Sequence, residues 1–148
     1  MEANYGKSLE VVSQYVAAMA SRETEKMDNL RSEGFVLDYV HDDAFHDQPL
    51  SAHDTRVFWP AWLAAFEEYD YEVTRTVAAK EVIVTEWVFT GTHTKPLGPP
   101  VFDSVVQATG RTIRFRGVSI YAINDGLIER ETLYMDLATL LVELGAIP

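Results

Sequence analysis

The hydrophobic period of this chain changes near Tyr69, from helical spacing to a period of two, and that switch narrows the folds open to it. Before it, Leu9, Val12, Val16 and Met19 recur every three or four residues and predict an amphipathic helix with one buried stripe. A short second helix is expected around Glu23–Leu30, with Met27 and Leu30 facing inward. Gly34 interrupts that pattern, and Phe35–Val40 has the composition of a short strand. The polar, turn-rich stretch His41–Ala52 follows. Phe58, Trp62 and Phe66 then predict a third helix, capped by His53 or Asp54, with Pro60 in its first turn where a missing amide proton costs little.

After the switch, Tyr71, Val73 and Val77 mark one strand. Val82, Val84 and Val88 alternate with Ile83, Thr85, Trp87 and Phe89 in a longer one, apolar on both faces. Prolines and a glycine between Thr94 and Gly110 predict a long loop, Lys95–Thr109, of the kind that often serves as a lid. Arg111–Ile123 reads as a third strand of this half and Leu127–Met135 as a fourth. Asn124-Asp125-Gly126 supplies the hairpin turn between them. Asp136 opens a last helix that Gly145 ends.

Helices first and a curved antiparallel meander afterwards define an α+β chain, a single domain over residues 1–148. A bent sheet closed by helices forms a cone with an apolar interior, the usual setting for a small-molecule site. Composition narrows the partners. A formal net charge of −11 argues against nucleic acid or an anionic membrane surface. No cysteine is present, so disulfides, thiolate metal sites and a cysteine nucleophile are excluded. No apolar run approaches the ~18 residues of a membrane span. MEANYGKSLEVV reads as neither signal nor transit peptide, so a cytoplasmic protein is expected.

The segments WVFTGTHT (Trp87–Thr94) and TGRTIRFRGVSIYAINDGLIERETLYMDLATLLVELG (Thr109–Gly145) resemble the SnoaL-like polyketide cyclases of the nuclear-transport-factor-2-like superfamily. That family shows a Gly-Thr-His-Thr strand end, a Thr-Gly-Lys/Arg lead-in, an Asp-Gly hairpin and a closing Asp-Leu helix start. YVHDDAFHDQP and the opening helix match more loosely. The resemblance implies a cone-shaped α+β barrel, a homodimer built through the open sheet face, and an aspartate at the strand-to-helix junction acting as acid/base in an aldol ring closure. Asp136 occupies that position. The limonene-epoxide-hydrolase branch adds an arginine and a second aspartate where this chain has Trp87 and Phe89. It also places a tyrosine and an asparagine where this chain has Phe45 and Asp47, so that reaction is not expected.

The residues allow two roles for Asp136. A carboxylate in an apolar cone has its charged form disfavoured, which suits proton transfer between carbon and oxygen. Aspartate is equally a favoured helix N-cap, a role worth roughly 1 kcal/mol. Tyr134 shares a strand face with Asp136 and either orients it or satisfies a backbone carbonyl. His93 shares parity with Trp87 and Phe89, and either shuttles protons or orders the loop after it. His41, Asp42, Asp43 and His46 match no metal spacing. Asp47 falls where the family's chain faces the cavity, as a polar group opposite Asp136. Phe45, Trp59, Trp87, Phe89 and Tyr121 either line a pocket for an apolar ligand or form ordinary core. Arg111, Arg114, Arg116 and Arg130 surround the hairpin, and Arg114 and Arg116 are expected to pair with Glu129 and Glu131 across the sheet.

Together these features point to a small enzyme that needs no cofactor, since proton transfer requires neither metal nor nucleotide and no phosphate-binding fingerprint occurs. Its substrate would be a hydrophobic carbonyl compound. The competing readings are a non-catalytic binder using the same cone, and a structural dimer whose cone is filled by its own side chains.

Overall fold

The computed structural model describes residues 5–40, 45 and 48–145. Three helices lead: α1 (Tyr5–Ala20), α2 (Thr24–Asn29) and, after the strand β1 (Arg31–Val40), α3 (Ala52–Ala64). Four strands follow, β2 (Phe66–Ala78), β3 (Val82–His93), β4 (Thr112–Asn124) and β5 (Leu127–Met135), and α4 (Leu137–Leu144) closes the chain. They form one open sheet in the order β1-β5-β4-β3-β2. The meander from β2 to β5 is antiparallel, as expected, but β1 joins β5 in parallel. Helices α1 and α3 pack on the inner face, and α4 packs against β4.

The alternation of side chains decides what lies inside. On β3, Ile83, Thr85, Trp87, Phe89 and His93 are buried, whereas Val84, Val88 and Thr90 are only half-buried on the opposite face. The stripe of α1 is as expected, with Val12 and Met19 buried and Leu9 and Val16 half-buried, and Tyr15 and Ala18 complete it. Asp125 and Gly126 both take positive φ (53° and 77°), the conformation an Asp-Gly hairpin turn requires. Gly145 ends α4 in the left-handed conformation.

Three local expectations differ. Gly34 does not end an element: β1 runs through it from Arg31, with a shift in register between Arg31 and Val36. The cap of α3 is Ser51, whose hydroxyl accepts the Asp54 N–H at 3.0 Å, rather than His53 or Asp54. Pro60 therefore lies well inside α3, where it cannot donate to the Arg56 carbonyl one turn earlier. The proline-rich loop is pinned by the Leu97–Val106 bridge, and Leu97 and Val101 are buried beneath it.

Candidate active site

Edge-to-face aromatic contacts fill the cone. The Trp62 ring lies 5.1 Å from Phe89 and 5.5 Å from Phe115, and Trp59 lies 5.1 Å from Phe58 and 6.5 Å from Trp87. Trp59, Trp87, Phe89 and Tyr121, expected as pocket-lining residues, are all within this packing and are at most 1% exposed. The apolar interior expected from the sequence also contains a carboxylate. Glu131 is fully buried. It stands on β5 opposite Tyr121 of β4, with the parity of buried Leu133.

Three groups from three elements donate to Glu131. The indole N–H of Trp59 on α3 reaches Oε1 at 3.2 Å, and the Ser119 hydroxyl on β4 reaches Oε2 at 3.0 Å. The Tyr15 hydroxyl on α1 makes a longer contact with Oε1, 3.4 Å. A second tier orients these donors. Trp87 Nε1 donates to Ser119 Oγ at 3.0 Å, and Arg31, itself 8% exposed, donates to the Tyr15 oxygen through both Nε and Nη2. Arg31 also stacks on Phe35 at 4.5 Å and pairs with Asp28 at 3.8 Å.

Burial pushes the Glu131 carboxyl up from its ordinary range; the Arg31 charge and the three donors oppose that rise. Burial, and then the Glu131 charge, hold the hydroxyls of Tyr71 and Tyr121 protonated far above the ordinary tyrosine range. Both hydroxyls face the Ser119–Glu131 group, yet neither makes a hydrogen bond of normal geometry. Thr85, which pairs with Ser119 across β3 and β4, also keeps an unpartnered buried hydroxyl. Buried polar atoms without partners are rare in native proteins, and here the hydroxyls of Tyr71, Tyr121 and Thr85 lie on the Ser119–Glu131 side of the core.

The residues proposed from the sequence fall into separate places. Asp136 caps α4, accepting the Thr139 N–H at 3.2 Å and the Thr139 hydroxyl at 2.8 Å. Tyr134 is 47% exposed on the outer face of the sheet. With Arg116, Glu86 and Met135 these two border an open depression of about 560 Å³. His93 is buried at the far end of β3. Its Nδ1 accepts the Thr109 N–H at 3.2 Å, so it fastens the end of the proline-rich loop, and burial lowers its pKa. Phe45 is 96% exposed. Asp47 lies outside the described residues, as do His41, Asp42, Asp43 and His46. Among the described residues no cluster of histidine and acidic side chains has the form of a metal site.

Glu131 was expected on the surface with Arg114 or Arg116, and this is corrected: it faces inward, while Arg114 and Arg116 point out. Arg130 instead pairs with Asp38 on β1 at 2.7 Å, and Arg111 donates to the Glu143 carbonyl at 3.1 Å. The sequence carries a signal for Glu131, its shared parity with Leu133 and Met135 rather than with Tyr134, but that parity does not say which set faces the core. Arg31 was hidden by starting the strand at Phe35.

A surface crevice of about 240 Å³ between α2 and α3 is bordered by Arg31, Asp28, Arg56 and Pro60. Arg31 in its lining is one hydrogen bond from Tyr15.

A curved, open sheet wrapped on helices, with a carboxylate buried in its concave side, defines a protein of the nuclear-transport-factor-2-like fold. Its relatives in structure share that fold. A candidate SnoaL-like polyketide cyclase from Jannaschia sp. CCS1 superposes with a TM-score of 0.81 at 14% identity, covering 100% of this chain and 98% of its own. AclR, a candidate hydroxylase from Streptomyces galilaeus, gives 0.82 at 21% identity, covering 97% and 99%. An epoxide hydrolase from M. tuberculosis gives 0.66 at 12%, covering 96% and 92%. No curated protein sequence matches the chain. The family model of the SnoaL-like polyketide cyclases matches residues 9–144, and the chain belongs to that family.

Proposed function

We propose that this protein is a cofactor-independent acid/base enzyme that acts on a small hydrophobic carbonyl compound, by aldol cyclisation or a related isomerisation, with Glu131 moving the proton. The observation that carries this reading is the convergence of a fully buried carboxyl, its three donors and the two unpartnered tyrosine hydroxyls. Glu131 would take a proton from an activated carbon, and Tyr71 and Tyr121 would donate to the oxygen on which charge then develops. Asp136 has both carboxylate oxygens engaged by Thr139 and serves α4 first. Glu131 has no solvent-exposed surface, so the cone has to open to admit a substrate. Homodimerisation through the outer sheet face, where Val84, Val88, Val118 and Ile120 are half-buried, belongs to the same reading, as does a cytoplasmic setting.

A second reading keeps Asp136 and Tyr134 as the reacting pair, favoured by the open depression they border. Proton exchange separates the two without knowledge of the substrate. Apolar 1,3-dicarbonyl compounds are incubated in deuterated buffer and followed by NMR with wild type, Glu131→Gln and Asp136→Asn. Exchange lost only in Glu131→Gln supports the buried site. Loss only in Asp136→Asn transfers the chemistry to the outer depression. No exchange in wild type, with binding retained, makes the protein a binder.

A further inference from the structure

Every described hydrogen-bond partner of Glu131 presents a hydrogen to it. Indole nitrogen has no lone pair to accept with, so Trp59 can only donate. Ser119 Oγ already accepts from Trp87, which directs its own proton toward Oε2. The Tyr15 oxygen accepts from both Nε and Nη2 of Arg31, which occupies both its lone pairs and leaves its proton the carboxylate as acceptor. A neutral carboxylic acid would have to direct a proton into this shell of donors, and among its hydrogen-bond partners none is free to receive it from the Arg31 side. Hydrogen bonds to the charged form favour that form. The titratable and charged groups facing Glu131 among the described residues are Tyr15 from α1, Arg31 from β1, Tyr71 from β2 and Tyr121 from β4. Asp28 of α2 faces Arg31 from the crevice side, and α3 contributes only Trp59. Arg31 is the one cation in that set.

We infer that Arg31 is a positioning residue: through Tyr15 it fixes a donor on Glu131 and keeps the buried carboxyl ionised at neutral pH, so that the enzyme meets its substrate as a base. The inference rests on Glu131 being the proton-transfer group, and it adds an order of events. The first proton moves from a neutral carbon acid to the protein.

The test is a pH titration by NMR of protein labelled with ¹³C at the glutamate side-chain carboxyl, with Glu131→Gln assigning the signal. Wild type should titrate below neutrality. Arg31→Met should raise the midpoint by about one pH unit or more, Tyr15→Phe should also raise it, and Arg31→Lys should restore part of the shift. Tyr15→Phe keeps the ring and the cation, so it provides the measurement if Arg31→Met fails to fold. An unmoved midpoint in a folded Arg31 or Tyr15 variant overturns the inference, because a purely packing role would leave it in place. The titration needs no substrate and is independent of the exchange experiment. A shifted midpoint without carbon exchange retains the tuning and removes the base assignment. Exchange that depends on Glu131 with an unmoved midpoint does the reverse.

Discussion

Gly117 on β4 lies against the indole of Trp87 on β3, and a Cβ added there would fall 2.2 Å from Cζ2 of that ring. The indole is 1% exposed and holds Ser119 through its N–H, so it has nowhere to move without breaking that bond. Gly117→Ala is therefore expected to destabilise the fold by about 1–3 kcal/mol, the usual cost of overpacking a core. Urea denaturation would measure the loss, and near-UV circular dichroism would report the displaced tryptophan. Unchanged stability would mean that the ring has room this packing does not show.

Ser119 links two tiers of the buried network, accepting from Trp87 and donating to Glu131. Ser119→Ala leaves a buried indole N–H with no acceptor and removes one donor from the carboxylate. The expected cost is about 1–3 kcal/mol, the penalty for an orphaned buried polar group. The Glu131 midpoint should rise in the same variant, since one bond to the charged form is gone.

Asp136 is expected to behave as a cap. Asp136→Ala should cost ~1 kcal/mol, while Asp136→Asn, which can still accept the Thr139 N–H, should stay within a few tenths of wild type. Equal losses in the two variants would show that charge, and not capping, is what the position supplies.

The buried carboxyl also sets a pH dependence. Its folded pKa lies above the unfolded value, so the native state holds its proton more tightly. The stability linked to that proton is fully present below the unfolded pKa and is lost as pH rises through the folded one. Glu131→Gln has no such loss. Relative to wild type it should therefore gain stability between pH 4 and pH 8, measured as the difference in urea midpoints. A difference that stays flat across that range would show that Glu131 titrates alike in both states.

The order of elements along this chain was legible because period and turn chemistry agree. The meander, the Asp-Gly hairpin, the ends of β5 and the limits of α4 follow from residues that act over a few positions. The misreadings have two causes. β1 runs through Gly34 beside β5, a strand distant in sequence, whereas Ser51 and Pro60 differ only because α3 starts earlier than a cap at His53 or Asp54 implies. The site was the least legible part. Counting inward from Asp136 selects Tyr134, whereas counting from Leu133 selects Glu131, and the alternation by itself does not say which set faces the core. Only the burial of Leu133 decides it. Arg31 was harder still, because a charged residue after a short helix looks like surface until its hydrogen bond to Tyr15 is seen.

The parallel β1–β5 pairing has a consequence for synthesis of the protein. Tyr15 and Arg31 leave the ribosome more than eighty residues before Ser119 and Glu131, and the Tyr15–Glu131 contact spans 116 positions. A nascent chain thus carries Tyr15 and its Arg31 donor with no carboxylate to meet them, and contacts so distant in sequence are slow to close. The buried network is completed only when the last strand is released, so a chain that stops short of it has the donors without the carboxylate on which they converge.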